Sequence, residues 1–234
     1  MASIIDDRGF NQGFKLVKST ELRMRRRADW IASEMINNTP KEVLEIGCGT
    51  GEVSYWIADK YSHDVLGTDL CEPFIDYANN EFKLPNLRYE ILDFSNAKEV
   101  NGRKFDYIIG NGILHHLYCN LDNALTNMHE LLNNRGKIIF MEPNIYNPYC
   151  AIIFNFARNW AKLEPDEMAF SKKYISKKLK AAGFCNIKVD FKDFLLPGIP
   201  NFLINPSILI GNVLEKTPLI KYTSQSLFIS AEKL

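Results

Sequence analysis

A glycine-rich turn preceded by an acid is the segment of this sequence whose residues could most readily do chemistry. Gly47, Gly49 and Gly51 occupy alternate positions, and Glu45 stands two residues before the first of them. Glycine adopts positive φ and lets the backbone approach a ligand closely, so such a turn is typical of a nucleotide site. The spacing fits neither the dinucleotide motif nor a phosphate loop. An acid beside the turn would repel phosphates, and it indicates a cationic ligand instead.

Two further acids stand at the ends of predicted strands. Asp69 ends a strand predicted over residues 63–70. It lies about 20 residues beyond the turn, where an α/β nucleotide site places the carboxylate that accepts from ribose hydroxyls. Asp93 stands near the end of a strand predicted over residues 86–94. The alternative for both acids is that each caps the helix that follows.

Two adjacent histidines and a glutamate are candidates for proton transfer. His115 and His116 follow a strand predicted over residues 105–111, and open α/β sheets bind ligands at the tips of such strands. A free imidazole titrates near neutral pH and can take a proton from a hydroxyl nucleophile. Glu142, at the tip of a strand predicted over residues 136–144, is a third candidate base. The other interpretation is that one histidine only packs or forms hydrogen bonds.

Short apolar runs alternate with amphipathic segments, and this alternation predicts the elements that position the candidate residues. The predicted strands are residues 43–46, 63–70, 86–94, 105–111, 136–144, 187–191 and 226–233. The predicted helices are residues 20–37, 52–58, 73–82, 121–132 and 171–182. The order of strands and helices predicts an α/β fold with a doubly wound, mostly parallel sheet and helices on both faces.

The glycine turn, the two later acids and the Phe105-Asp106-Tyr107 strand together resemble the class I S-adenosylmethionine-dependent methyltransferases. The resemblance is good over residues 41–144, and the final helix and strands extend it to roughly two thirds of the chain. It implies a seven-stranded sheet whose last strand runs antiparallel between the fifth and the sixth. It also implies S-adenosylmethionine as the cofactor and S-adenosylhomocysteine as the product.

The resemblance assigns the cofactor to the turn and to the tips of three strands. The implied cofactor-binding residues are Glu45, Gly47, Cys48, Gly49, Gly51, Asp69, Leu70, Asp93, Phe94, Asn111, Gly112 and Ile113. The turn would hold the methionine part, the second strand the ribose, the third the adenine and the fourth the sulfonium side. In such a family the cofactor carries the activated methyl group, so the protein must mainly align the acceptor and exclude water. His115, His116 and Glu142 are the catalytic candidates, needed only if the acceptor must lose a proton.

Two segments exceed normal connection lengths, and loops that long usually have a function. Residues 143–170 contain aromatic residues at spacings compatible with one helix face. These are Tyr146, Tyr149, Phe154, Phe156 and Trp160. Residues 192–225 are unusually apolar and carry four prolines, which predict that no single long helix forms there. We expect a helical cap that lines an apolar acceptor pocket or touches a membrane surface through residues 194–214. The alternative is an extra layer that forms core or a homodimer contact.

The first predicted helix carries a run of arginines at positions 23 and 25–27. Such a charge run is usually a solvated helix face, and that is the interpretation favoured here. The alternative is that one or two of these side chains bind an anionic group of the cofactor or the substrate.

Composition limits the classes of protein that fit. Lys and Arg number 28, as do Asp and Glu, so no net field favours nucleic acid as a partner. The five cysteines form no Cys-x-x-Cys pair, which favours reduced thiols in a cytoplasmic protein and predicts no metal site. No apolar run approaches the roughly 20 residues of a spanning helix, and no signal-peptide core is present. We expect one domain over residues 1–234, with residues 1–40 as an N-terminal helical segment.

The sequence therefore predicts a methyltransferase that moves a methyl group to a small-molecule or lipid-linked acceptor by in-line displacement. One alternative is an RNA or protein methyltransferase. The neutral charge balance argues against RNA, and the tip of the fourth strand lacks the Pro-Pro-aromatic motif that suits methylation of base or amide nitrogens. A second alternative is a catalytically inactive partner subunit that binds S-adenosylmethionine.

Overall fold

The computed structural model describes residues 18–36, 38–94, 102–161, 163, 167–196 and 198–234, without the side chains of Trp160 and Ala161. Residues 1–17 of the predicted N-terminal segment, Asn37 in the first predicted helix and the ring of Trp160 lie outside this description.

Seven strands form one sheet in the order β3-β2-β1-β4-β5-β7-β6. The strands are β1 Glu42–Ile46, β2 Asp64–Asp69, β3 Leu87–Ile91, β4 Phe105–Asn111, β5 Leu132–Pro143, β6 Cys185–Lys192 and β7 Ser226–Glu232. The first five strands pair in parallel, whereas β7 is antiparallel to both β5 and β6. The predicted fold class is confirmed, including the position of the last strand. Strand order reverses between β1 and β4, and open sheets of this type bind ligands at such a reversal.

Helices cover both faces of the sheet. They are α1 Lys18–Ser33, α2 Glu52–Tyr61, α3 Glu72–Glu81, α4 Leu121–Leu131, α5 Pro148–Asn155, α6 Arg158–Ala161, α7 Lys172–Ala181 and α8 Asn201–Leu214. The described residues also form short 3-10 helices at Leu114–Asn120 and Ile220–Thr223. Leu44 and Ile108 belong to the core on one face, and Val43 and Ile109 to the core on the other. Because successive strand residues point to opposite faces and both are covered, β1 and β4 bury apolar residues at consecutive positions.

One expectation about the long connections is confirmed with an exception at Pro206, and one is wrong. As predicted, the described residues of 192–225 form no single long helix, but the 14-residue helix α8 runs through one of the four prolines, Pro206. Pro206 removes one amide donor, and the carbonyl it leaves is that of Phe202 in the exposed first turn, where water can replace the donor. The aromatic residues of the first connection do not share a face: Phe154 is 6% exposed, whereas Phe156 lies beyond the end of α5 and is 87% exposed.

Three smaller observations concern the start of β5, the cysteines and the character of the helices. The strand β5 begins at Leu132, directly after α4, rather than at residue 136 as predicted. Each of the five cysteines is described and is a free thiol. Among the described residues, no helix combines the length and the apolar character needed to cross a membrane.

Candidate cofactor and acceptor site

A cavity of about 640 Å³ opens at the carboxyl ends of β1, β2 and β4. Every predicted cofactor-binding residue except Gly51 lines this cavity. His115 and His116 line it as well, whereas Glu142 does not. The structure therefore brings the cofactor residues and the two histidines, predicted from separate stretches of sequence, to one continuous space.

The glycine turn has a backbone that other residues could not adopt without strain. Gly47 has a φ of +63°, and a Cβ there would lie 2.5 Å from the side chain of Ile113. Gly51 has a φ of +89°, and a Cβ there would lie 2.8 Å from the ring of Tyr89. The Tyr89 hydroxyl also donates to the Gly51 carbonyl at 2.7 Å. Gly51 thus packs against Tyr89 on the side of the turn away from the cavity. Gly47, which has no side chain, forms part of the cavity wall with its backbone.

The acid before the turn, Glu45, is almost fully buried where it meets the cavity. Ser54 donates a short hydrogen bond to its carboxylate. Burial raises the pKa of Glu45 to about 8, against the hydrogen bond from Ser54 and with a further contribution from the charge of Glu52. A carboxyl group with such a pKa is largely protonated at neutral pH, and a cation placed beside it would favour its ionised form.

Asp69 holds two pieces of backbone at the cavity. Its Oδ2 accepts from the amide of Gly49 at 2.9 Å, and its Oδ1 accepts from the amide of Cys71 at 2.9 Å. The first contact fixes the glycine turn, and the second fixes the residue that precedes α3. Each carboxylate oxygen has two acceptor positions, so these contacts leave capacity for ribose hydroxyls. Asp93, two residues beyond the end of β3, lines the same cavity.

Arg27 connects α1 to the tip of the sheet. Its guanidinium donates to Asp193 Oδ2 at 3.0 Å, to Asn111 Oδ1 at 2.8 Å and to Ser226 Oγ at 2.6 Å. Arg27 is buried and lines the cavity. One side chain thereby fixes the end of β4, the start of β7 and the segment after β6 relative to α1.

Arg23 joins the same ion pair, so the solvated-face interpretation is wrong for two of the four arginines. Its Nε donates to Asp193 at 2.9 Å and its Nη2 to Gln225 at 2.8 Å. Burial alone would raise the pKa of Asp193, but the charges of Arg27 and Arg23 outweigh it and lower that pKa. Burial and the charge of Arg27 lower the pKa of Arg23 to about 10, despite Asp193. The signal in the sequence was the four-residue spacing, which puts both arginines on one helix face.

We expect Arg27→Met to destabilise the protein by about 3 kcal/mol, because removing one member of a buried ion pair leaves charge poorly compensated. The measurement is urea unfolding. Arg25→Met is the matched control, since Arg25 lies on the same helix and pairs with Glu21 on the exposed side. That exposed pair should contribute about 1 kcal/mol or less. Equal losses in the two variants would contradict the structural importance of the Arg27 contacts.

Glu142 organises the segment that follows β4. Its carboxylate accepts from the backbone amides of Ile113, Leu114 and His115 at 2.9, 2.7 and 3.2 Å. The same carboxylate lies 2.9 Å from Nδ1 of His115. A carboxylate partner at Nδ1 favours the tautomer with hydrogen there, which leaves Nε2 with a lone pair that can accept a proton. Glu142 is buried, and these contacts suit a residue that positions His115.

His116 has an acidic partner of its own, which the sequence did not reveal. Its Nδ1 lies 3.0 Å from Oε1 of Glu167, a buried residue of the long connection after β5. One ligand atom each of His115, His116 and Glu167 lies within 4.8 Å of the others, a set that could hold a metal ion. Glu167 was missed because no motif marks it and because about 50 positions of the chain separate it from the histidines. The expected absence of a metal stays a prediction.

Comparison with known proteins agrees with this geometry. Residues 43–136 match the family described as "Methyltransferase domain". A methyltransferase domain thus occupies these residues, and the fold is that of solved S-adenosylmethionine-dependent methyltransferases. The predicted family, with its enzyme class and cofactor, is thereby confirmed. The N-terminal helix and everything after the start of β5 lie outside the matched residues.

Three similar proteins illustrate the range of relatives. "Uncharacterized protein MJ1252" of Methanocaldococcus jannaschii is 31% identical over 186 residues, which cover 77% of this chain and 66% of that protein. "Probable polyketide synthase 42" of Dictyostelium discoideum is 24% identical over 154 residues, 56% of this chain but 6% of that protein. The solved structure of an S-adenosylmethionine-dependent methyltransferase from Archaeoglobus fulgidus has a TM-score of 0.63 at 19% identity and covers 92% of this chain and 93% of its own. The chain thus spans less than a tenth of the polyketide synthases that it matches.

Proposed function

We propose that this protein transfers the methyl group of S-adenosylmethionine to a small organic acceptor bound at the histidine end of the cavity. The observation that carries the proposal is the shared space: the glycine turn, Asp69 and Asp93 line the same cavity as His115, which Glu142 orients. A cofactor site without a proton-accepting group would fit a catalytically inactive subunit that binds S-adenosylmethionine as well as it fits an enzyme. The oriented histidine favours turnover.

The donor set fits the cofactor. When bound, S-adenosylmethionine supplies an activated methyl group on a cationic sulfur. The carboxylate of Glu45 suits its amino group, that of Asp69 its ribose hydroxyls and that of Asp93 the amino group of adenine. At Gly47 the absence of a Cβ lets a ligand meet backbone directly.

The proposed work of the protein on the acceptor side is proton removal and alignment. His115 Nε2 accepts a proton from the acceptor as the new bond forms, and Glu142 at Nδ1 stabilises the resulting imidazolium. Arg27 holds Asn111 at the end of β4, next to the turn that carries the histidine. Fixing this segment keeps the acceptor atom in line with the transferred group, which is where most of the rate gain of such an enzyme arises.

A small organic or lipid-linked acceptor suits the chain better than nucleic acid. Basic and acidic residues balance, so no positive field attracts a polyanion. Arg23 and Arg27, the two arginines at the cavity, are already engaged by Asp193. Similarity to part of a protein named as a probable polyketide synthase, an enzyme that by its name makes polyketides, supports the same choice.

We expect Asp69→Ala to weaken binding of S-adenosylmethionine roughly 100-fold or more, because two hydrogen bonds to a charged group are lost. Isothermal titration with S-adenosylmethionine and S-adenosylhomocysteine gives the affinities. Asp59→Ala, an exposed acid on α2, is the matched control and should bind like the wild type. Unchanged affinity in Asp69→Ala would remove its proposed role, and no binding by the wild type would refute the proposed function.

Transfer itself is measured with methyl-tritiated S-adenosylmethionine and a panel of apolar hydroxyl, amine and carbon-acid acceptors. Labelled product with any of them supports the proposal. Binding of the cofactor without transfer to any member, or to an extracted pool of lipids and metabolites, would favour the inactive partner subunit instead.

A further inference from the structure

The helix α8 exposes its apolar side and buries a narrow opposite side. Ile204 and Gly211 are buried, and a Cβ at Gly211 would lie 3.2 Å from the side chain of Phe194. The large exposed residues on the helix are Phe202, Leu203, Leu209, Ile210 and Val213. At 3.6 residues per turn, these five fall within one arc of about 120°, opposite the buried pair. A surface helix normally turns this kind of stripe toward the core.

Basic residues outnumber acidic ones around this helix. No residue of α8 is charged. Between positions 194 and 225 the sequence contains one acid, Glu215, which pairs with Lys192 at 3.3 Å. Lys216 and Lys221 follow the helix on its carboxyl side. An apolar face with basic residues at its end is complementary to an anionic lipid surface, where acyl chains accept the apolar side chains and headgroups attract the lysines.

The apolar surface continues beyond the helix. Leu219, Ile220 and Tyr222 in the next turn are exposed, Leu219 at 78%. This turn is held against the amino end of α5, because the side chain of Asn147 donates to the carbonyl of Thr223 at 2.7 Å. On α5 and just before it, three more apolar or aromatic residues are exposed: Tyr146, Tyr149 and Ile152. Patches of this extent on a soluble domain tend to be sites of interaction.

The same helix lies next to the wall of the cavity. The guanidinium of Arg26 on α1 donates to Asn212 on α8 at 3.2 Å. The backbone amide of Gly198, just before α8, donates to Ser19 at 3.2 Å. Thr20, the neighbour of Ser19, lines the cavity. The helix α1 therefore contacts α8 and also contributes to the wall of the cavity.

We propose that α8 and the turn Ile220–Thr223 bind the surface of an anionic lipid bilayer. Phe202 and Leu209 lie among the acyl chains, and Lys216 and Lys221 contact the headgroups. Binding is peripheral, since α8 is too short to span a bilayer. A contact with a second copy is a poorer explanation, because the exposed apolar side chains of α8, the next turn and the α5 region number eleven, and a stable interface uses about 20 to 30 residues on each side. Lipid binding is separate from the proposed methyl transfer, and it would bring the site to an apolar acceptor.

The test is flotation of the full chain with vesicles of phosphatidylcholine alone and of phosphatidylcholine with phosphatidylglycerol. The wild type is expected to bind the anionic vesicles. Lys216→Gln/Lys221→Gln should bind them roughly 30-fold more weakly, because each basic residue near an anionic surface adds about fivefold to the affinity. Phe202→Ser/Leu209→Ser should reduce binding to both kinds of vesicle.

Ile36→Ser/Leu234→Ser is the matched control, because it removes two exposed apolar side chains from outside the patch. Its binding should equal that of the wild type, and all four proteins should melt at similar temperatures. Failure of the wild type to bind anionic vesicles would overturn the proposal, as would undiminished binding by Phe202→Ser/Leu209→Ser. A wild-type dimer that this double variant converts to a monomer, without vesicle binding, would assign the face to a second copy and also overturn it. Titration with S-adenosylmethionine in the same samples reports on the proposed function independently.

Discussion

Glu45→Gln is expected to stabilise the cofactor-free protein at pH 8 and to weaken its binding of S-adenosylmethionine. The pKa of Glu45 is raised to about 8 in the folded protein, from the usual 4.5. Between these values the folded protein keeps a proton that the unfolded chain has released, so its free energy of unfolding falls as pH rises. Each unit of pH inside this window costs about 1.4 kcal/mol. Glutamine stays neutral and removes this loss.

The measurement for stability is urea unfolding of both proteins at pH 5 and at pH 8. The wild type should lose on the order of 4 kcal/mol more than Glu45→Gln between the two. Glu42→Gln, at the exposed start of the same strand, is the matched control. A pH dependence shared by wild type and Glu45→Gln would show that the buried carboxyl group is not its source.

The same carboxyl group should couple cofactor binding to proton release. A cationic amino group beside Glu45 favours its ionised form, so binding below pH 8 should release a proton from wild type. Titrations at pH 6.5 in phosphate and in imidazole buffers, which differ in ionisation enthalpy, count that proton. Glu45→Gln should bind more weakly and release none. Buffer-independent enthalpies in the wild type would contradict a role for Glu45 at the cofactor.

Local patterns in the sequence were sufficient for the sheet and for one side of the site. The apolar runs located every strand. The glycine turn located one wall of the cavity, because few residues other than glycine adopt a positive φ without strain. Strand ends could be trusted as positions for Asp69 and Asn111, since parallel strands bring their carboxyl ends to one edge of the sheet.

Contacts between distant segments could not be predicted in this way. Asp193 lies 166 positions from Arg27, and only the packing of α1 against the sheet brings them together. A run of arginines has the same local pattern whether its partner is water or a buried acid. Glu167 was missed for the same reason, as its pairing with His116 depends on the path of a long connection. For α8 the sequence showed an unusually apolar segment. It did not show which side of the helix packs against the rest of the protein, and that decides which apolar residues are exposed.

The role of Glu142 also needed the structure. Its place at a strand tip made it a candidate base. The sequence gave no sign that three backbone amides donate hydrogen bonds to its carboxylate. A buried carboxylate with those partners and His115 at Nδ1 has little capacity left for a substrate proton. We therefore propose that Glu142 positions His115, and that His115 acts on the acceptor.

Glu142→Gln is expected to lower both stability and turnover, whereas His115→Gln should lower turnover alone. In the wild type both carboxylate oxygens of Glu142 accept from backbone N–H groups. In the variant, the NH₂ group of glutamine replaces one of these oxygens and cannot accept a hydrogen bond. Leaving such donors unsatisfied costs about 1–3 kcal/mol each. In His115→Gln the backbone contacts of Glu142 remain, so the loss should be confined to proton transfer, typically about 10²- to 10⁴-fold in kcat. Affinity for S-adenosylmethionine should change little in His115→Gln.

Turnover with the acceptor found in the panel, urea unfolding and titration with the cofactor separate these outcomes. His129→Gln is the matched control, since His129 on α4 does not line the cavity. Turnover of His115→Gln within a few-fold of wild type would make this histidine structural. The wild type is also assayed after treatment with a chelator. If activity disappears and returns with a divalent ion, the lone pair of His115 acts as a ligand beside His116 and Glu167, not as a base. Activity that survives the chelator, together with the loss in His115→Gln, leaves proton removal by the imidazole as the step that this histidine performs.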